Sequence, residues 1–259
     1  MCKITLSQRP IPFHRTKHYL HHCMKKLFLT LAALAVAPAA FAQVEIGLKV
    51  SPSISYLRTS SPSSTSFQSE SSKFSFGGGV FLDYFFGENY AFNTGLFLTG
   101  KGGSFSYLEN TGTTPSVPPT PSPSSTTRVT QKLAMQYLEI PLTLKLFTNE
   151  VAPATRVYFQ VGGSVGFPVS TRVNGDKFYT DPYNGNSQTD AFAHVFPVDA
   201  GLIGGLGLEY QLGKSTKVLT GLSYHHGLVN LDHYFERTRG FSDVTIKNSV
   251  FALDLGLKF

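Results

Sequence analysis

From Val44 onward, apolar side chains recur at every second position. That period admits β-strands and excludes long amphipathic helices. Val44, Ile46, Leu48 and Val50 alternate with Glu45, Gly47, Lys49 and Ser51. Leu138, Ile140, Leu142, Leu144 and Leu146 alternate with Glu139, Pro141, Thr143 and Lys145. Phe251, Leu253, Leu255, Leu257 and Phe259 alternate with Ala252, Asp254, Gly256 and Lys258. The same pattern runs through 157–167 and 198–210, and more weakly through 74–86, 90–107 and 217–228. Eight strands are expected.

The polar face of these strands mixes Gly, Ser and Thr with charges of both signs. A soluble sandwich buries the apolar faces of two sheets together and leaves its charges in water. A barrel in lipid inverts that arrangement, with hydrocarbon outside and small, polar and charged residues filling a narrow interior. Aromatics near strand ends (Tyr56, Tyr84, Phe85, Phe86, Tyr90, Phe92, Tyr107, Tyr137, Phe147, Tyr210 and Tyr224) are expected to form two interfacial girdles.

Connection lengths alternate. Long segments fall at 59–72, 109–126, 168–196 and 229–245, and short ones at 87–89, 148–155 and 211–216. All long connections then lie at one end and all short ones at the other. The sequence predicts an all-β, eight-stranded antiparallel up-and-down transmembrane β-barrel with both termini periplasmic and the long loops outside. An unclosed sheet edge does not survive in lipid, so the ring must close. The soluble periplasmic barrel or sandwich stands as the rival fold.

Residues 1–42 carry Lys3, Arg9, Arg15, Lys17, Lys25 and Lys26 and no acid, so the formal charge of +6 belongs to them. The 22 Lys and Arg less those six leave 16, against 16 Asp and Glu. Overall charge therefore gives no support to nucleic-acid binding. Cys2 and Cys23 also lie in this leader, so residues 43–259 offer no disulfide or thiolate site. From Met24 the chain has a charged Lys25-Lys26, an apolar run Leu27–Ala37 and a small-x-small Ala40-Phe41-Ala42. This is the pattern of an export signal over 24–42, cleaved between Ala42 and Gln43. The run is shorter than the ~20 residues of a spanning helix. Residues 1–23, with His14, His18, His21 and His22, fit no export logic and read as a mis-annotated N-terminal extension upstream of a start at Met24. The barrel domain is then 43–259.

Alternation points Glu45, Lys49, Asp83, Lys101, Glu139, Lys145, Asp199, Glu209, Asp254 and Lys258 inward, six acids and four bases. Isolated charges in a narrow lumen are costly, so a paired network is expected. An eight-stranded interior is just wide enough for side chains, which disfavours a pore; a narrow channel remains the alternative. A barrel-embedded hydrolase would need Ser, His and an acid within hydrogen-bond reach. Ser223 and His225 share a face but sit two positions apart, about 7 Å rather than a hydrogen bond, and Asp232 and His233 follow in a loop. No catalytic residue, cofactor or metal is expected, although His225, His226 and His233 contain ligating nitrogens. Gly204-Gly205-x-Gly207 lies inside a strand pattern, not at the strand–helix turn a nucleotide loop requires. The Pro/Ser/Thr-rich stretch 109–126 cannot bury enough apolar surface to fold, and Phe178, Tyr179, Tyr183, Phe192 and Phe196 give the 168–196 loop contact potential.

Several of these segments resemble the PorT-like, outer-membrane β-barrel-domain proteins of Gram-negative bacteria. The carriers are Gly47-Leu48-Lys49, the Phe-Gly-Gly-Gly-Val-Phe-Leu-Asp-Tyr-Phe stretch at 76–85, and Gln136-Tyr137-Leu138-Glu139-Ile140-Pro141-Leu142. Gly204–Tyr210 and Leu255-Gly256-Leu257-Lys258-Phe259 complete them, and the Tyr-Leu-Glu-Ile-Pro-Leu run is the most specific. The Pro/Ser insert at 109–126 departs from the pattern. The resemblance implies the cell outer membrane as location. It implies a structural, interaction or secretion-accessory role, with secretion-system components as partners beside the outer-membrane lipid bilayer. Phe259, ending an alternating strand, looks like the C-terminal signal read by the outer-membrane assembly machinery.

Overall fold

The computed structural model describes residues 44–110, 126–181, 183 and 185–259. The expectations for residues 1–23, the signal at 24–42, cleavage between Ala42 and Gln43, and the loop 111–125 lie outside those residues. Eight strands close into an antiparallel ring: β1 (Val44–Ser60), β2 (Gln68–Gly87), β3 (Tyr90–Asn110), β4 (Thr126–Phe147), β5 (Thr155–Val173), β8 (Asp199–Gln211), β9 (Lys217–Gly227) and β10 (Thr245–Lys258). Each strand pairs with its neighbours in sequence around the ring, and β1 closes it on β10 from Gly47↔Lys258 to Ser60↔Thr245. Phe259 N donates to Ile46 O at 2.8 Å, so the seam runs to the last residue. A small hairpin, β6 (Phe178–Asp181) with β7 (Ser187–Asp190), sits in the β5–β8 connection. A six-residue helix α1 (Tyr234–Arg239) sits in the β9–β10 connection.

The short connections 88–89, 148–154 and 212–216 share one end with Val44 and Lys258; the long ones share the other. The strands are longer than the alternation suggested. β2, β3 and β4 have 20, 21 and 22 residues, against the 9–11 a membrane-crossing strand needs. The first long connection shrinks from 59–72 to 61–67, and β5 runs on to Val173. These extensions are rich in Ser, Thr and Gln on both faces, so they carry no apolar period to read.

Outward-facing apolar residues define the band that meets hydrocarbon. On β4 it is Leu138 to Leu146, nine residues; on β1 it is Val44 to Ile54 and on β5 Val157 to Phe167. Leu142, Val161 and Leu206 are exposed to the surroundings rather than packed, as lipid-facing side chains must be. Pro141 interrupts the β3–β4 ladder between Thr94↔Leu142 and Phe97↔Glu139, and Thr94 Oγ1 donates to its carbonyl at 2.9 Å. Phe86, Tyr90, Phe92 and Tyr210 face outward near the short-turn end. Tyr224 stacks on Phe251 at 4.5 Å nearer the outer end. Phe85, Tyr107, Tyr137 and Phe147 do not belong to a girdle: all four are buried inside. Each shares parity with an inward charge on its own strand, and that parity outweighs its place near a strand end.

Inner-face glycines make room for the buried rings. A β-carbon on Gly207 would lie 2.4 Å from Thr220 O and 2.6 Å from Tyr158 Cζ, whereas at outward Gly204 it would meet nothing within 4 Å. Gly207→Ala is expected to destabilise the barrel by about 1–3 kcal/mol, read as a lower temperature for the gel-mobility shift between folded and boiled protein. Gly204→Ala should leave that temperature unchanged; equal effects would show that packing around Tyr158 is not tight.

Candidate functional site

The interior is the candidate site, because every strand delivers its polar face to it. At the short-turn end, the ammonium of Lys258 is fully buried among three carboxylates. It reaches Glu45 at 2.6 Å and Asp83 at 3.2 Å and also pairs with Glu209. Lys145 reaches Asp83 at 2.9 Å. Lys217 reaches Glu45 at 2.7 Å and Glu209 at 3.4 Å, and Arg156 reaches Glu209 at 3.5 Å. Asn93 Nδ2 donates to Asp83 at 2.6 Å. Aromatic faces supply the remaining contacts: Lys258 lies 5.1 Å from the Phe85 centroid, Lys145 4.8 Å from Phe81, and Arg156 4.5 Å from Phe147. The rings pack with Phe97, Tyr158 and Leu219 into a compact cluster. Cations held between carboxylates and ring faces are both neutralised and dehydrated.

Midway along the lumen, Lys49 pairs with Asp254 at 3.3 Å, and Ser51 Oγ donates to Asp254 at 2.6 Å. Toward the outer end, Lys101 bridges Glu139 at 3.2 Å and Asp199 at 3.1 Å. His225 Nδ1 lies 3.3 Å from Glu139, and Thr99 Oγ1 donates to Glu139 at 2.8 Å. All ten inward charges named from the sequence thus lie in three groups of ion pairs. Between the groups is a small cavity of about 40 Å³, lined by Lys49, Asp254, Gln160, Glu139, His225 and Lys101.

The inward charges named from alternation did not include Arg156 and Lys217, which stand at the start of β5 and β9. A signal for them was present. Six acids against four bases leaves the lumen two cations short, and Arg156 and Lys217 share the parity of Tyr158 and Leu219.

The outer mouth is filled by apolar side chains. Phe235 of α1 inserts among Phe67, Tyr107, Phe105 and Phe241, at centroid distances of 5.0, 5.1, 5.8 and 6.0 Å. Asp232 accepts from Phe235 N at 2.9 Å and Glu236 N at 3.3 Å, fixing the start of the helix. Arg239 pairs with Glu109 at 2.8 Å and lies over Tyr183 at 3.4 Å. The two long loops meet where His194 stacks on Tyr234 at 3.9 Å and Tyr234 Oη donates to Asp181 at 2.8 Å. Burial pushes His194 down to about 4 and the Tyr179 hydroxyl up to about 12. At neutral pH the ring is uncharged and Tyr179 keeps its proton, and the hydroxyl and His194 Nε2 share a hydrogen bond.

The residues considered for hydrolysis or metal binding do not assemble. Ser223 Oγ is buried with no hydrogen-bond partner, and His225 is turned to Glu139. Asp232 caps α1. His226 Nδ1 meets Tyr224 Oη at 3.1 Å, and the His233 ring meets Phe196 at 6.3 Å. Among the described residues no group of three or more His, Cys, Asp or Glu is arranged to hold a metal ion. Phe259 is 59% exposed and faces outward beside the seam.

Among solved structures, Neisserial surface protein A is similar at 11% identity, with a TM-score of 0.44 over 84% of this chain and 97% of that one. OprG of Pseudomonas aeruginosa is similar at 13% identity, with a TM-score of 0.45 over 83% and 95%. Ail of Yersinia pestis is similar at 12% identity, with a TM-score of 0.39 over 84% and 99%. At these identities the likeness concerns fold alone. No curated protein matches the sequence. The family model described as outer membrane protein beta-barrel domain matches residues 41–233, most of the chain. The chain belongs to the outer membrane protein beta-barrel domain family.

Proposed function

We propose that this protein is a closed outer-membrane platform whose work is done by its outer loops, in a PorT-like, secretion-accessory or other interaction role and without enzymatic activity. The observation that carries this reading is the folded β5–β8 loop. Its hairpin and the turn at Ala191–His194 are pinned to α1 through His194, Tyr234 and Asp181, while Phe178, Tyr183, Phe192 and Phe196 stay exposed. Phe178, Tyr183 and Phe192 belong to the hairpin and turn beyond the end of β5 rather than to a strand of the ring, and ordered exposed aromatics suit a protein or glycan partner. The ion-paired lumen supports a platform over a channel. Export by the leader at 24–42, cleavage between Ala42 and Gln43, and recognition of Phe259 by the assembly machinery complete the reading.

Residues 43–259 contain no cysteine, so Phe192→Cys supplies a unique thiol. It is expected to react with a membrane-impermeant maleimide on intact cells. A photo-activated crosslinker at that thiol should give one discrete adduct. Surface labelling without any adduct would overturn the interaction reading. Planar-bilayer recordings of the wild-type protein should show no discrete conductance steps; reproducible steps would establish the channel instead. Ser223→Ala and His225→Ala should leave lipase and protease assays at the wild-type background.

A further inference from the structure

The β2–β3 ladder is open at the upper edge of the apolar band. β2 and β3 pair at Ser72↔Gly103 and next at Gly77↔Thr99, so Lys73 to Phe76 and Gly100 to Gly102 have no mutual ladder. A shallow notch of about 340 Å³ opens there, lined by Lys73, Phe74, Phe76, Gln136, Ser170 and Arg172. Phe74 and Phe76 are 74% and 58% exposed. The notch straddles the upper edge of the hydrocarbon band. The outward apolar run of β4 stops at Leu138 just below Gln136, and that of β5 gives way to Ser170 and Arg172.

Its charges differ from those of the lumen. Each inward lysine has a carboxylate in ion-pair reach, whereas among the described residues neither Lys73 nor Arg172 has one. Lys73 Nζ donates only to Ser75 Oγ at 3.2 Å, and Arg172 Nη1 to Gly175 O at 2.9 Å. Arg172, Phe74 and Phe76 face outward, and Lys73, which has the parity of buried Ser75, lines the notch where the ladder is open; two cations without acids beside two uncovered rings match an anionic head above an acyl chain.

We propose that this notch binds an acyl lipid of net negative charge from the surrounding leaflet. The anionic head sits between Lys73 and Arg172, and an acyl chain descends over Phe74 and Phe76. The inference goes beyond the platform reading and does not depend on the outer loops having a partner.

The chain has no tryptophan, so Phe76→Trp places a single fluorophore in the notch. The full protein carrying it is reconstituted in phosphatidylcholine vesicles containing either dibrominated-acyl phosphatidylglycerol or dibrominated-acyl phosphatidylcholine. Half-maximal quenching is expected at about tenfold lower mole fraction of the phosphatidylglycerol, from two basic side chains at headgroup level. Adding Lys73→Gln and Arg172→Gln should bring the two lipids together. Leu206→Trp, half a ring away on β8, should not distinguish them. Each sample is first shown to be folded by its gel-mobility shift on boiling. Equal quenching by the two lipids at position 76, or a preference that survives the double substitution, would overturn the proposal. So would absence of quenching by both, which means a protein surface covers the notch. So would loss of the preference in millimolar inorganic phosphate, which means the free ion is the ligand.

Discussion

Lys258→Met is expected to lower the stability of the folded barrel by about 3–5 kcal/mol, nearer the lower figure. The ammonium contacts Glu45, Asp83 and Glu209 with no exposure to solvent. Its removal leaves three carboxylates to share Lys145, Lys217 and Arg156. Those three cations are why the cost stays below that of an isolated pair. The measurement is the urea midpoint of the fraction that shifts on boiling. Adding Glu209→Gln to Lys258→Met should recover part of the loss, because one surplus negative charge is removed; additive losses would show that the pair is not coupled. The methionine is chosen to keep packing against the Phe85 and Phe147 rings, so that charge is the quantity tested.

Phe235→Ala should act at the other end. Deleting a buried phenyl ring costs about 3–5 kcal/mol, and here the ring joins Phe67, Phe105, Tyr107 and Phe241 across two loops and β3. Loss of that contact undocks α1 while leaving the ring of strands paired. Trypsin cleavage after Arg237 and Arg239 should accelerate by about 100-fold or more, since 1.4 kcal/mol corresponds to a factor of ten. The gel-mobility shift should persist. Bilayers should still show no conductance, because the Lys258 group closes the opposite end. A variant that lost both the plug and the boiling shift would mean that the plug holds the barrel together.

The barrel itself was legible because lipid outside and side chains inside force a strict period of two. The same parity placed ten of the lumenal charges on one face, without Arg156 and Lys217. It also marked Phe85, Tyr137 and Phe147 as inward, and the expectation of girdle roles for them came from overriding parity with composition. Pairing partners were not legible. Lys258 meets Asp83 across the seam only because β1 lies between β10 and β2 in the closed ring, and the shear that sets this register is a property of closure. The upper strand extensions were hidden because both of their faces are polar. The plug was hidden because α1 has six residues, too few to show a helical period, and is held by tertiary contacts instead.

The seam between β1 and β10 carries a consequence for the order of events during biogenesis. Its partners are about 200 positions apart in the chain, from Gly47↔Lys258 onward, so the contact that closes the ring is the most non-local one in the molecule. Until β10 is delivered, β1 and β9 each expose an unpaired edge, and Glu45, Asp83 and Glu209 lack Lys258. The half-made ring is therefore an open sheet whose short-turn carboxylates lack one of their partners, poorly suited to hydrocarbon and prone to pair with other edges. Insertion cannot proceed strand by strand into lipid. The chain has to be held in a shielded state until β10 arrives, and bringing in β10 completes the ladder and seats both Lys258 and Asp254 on their partners in the same event.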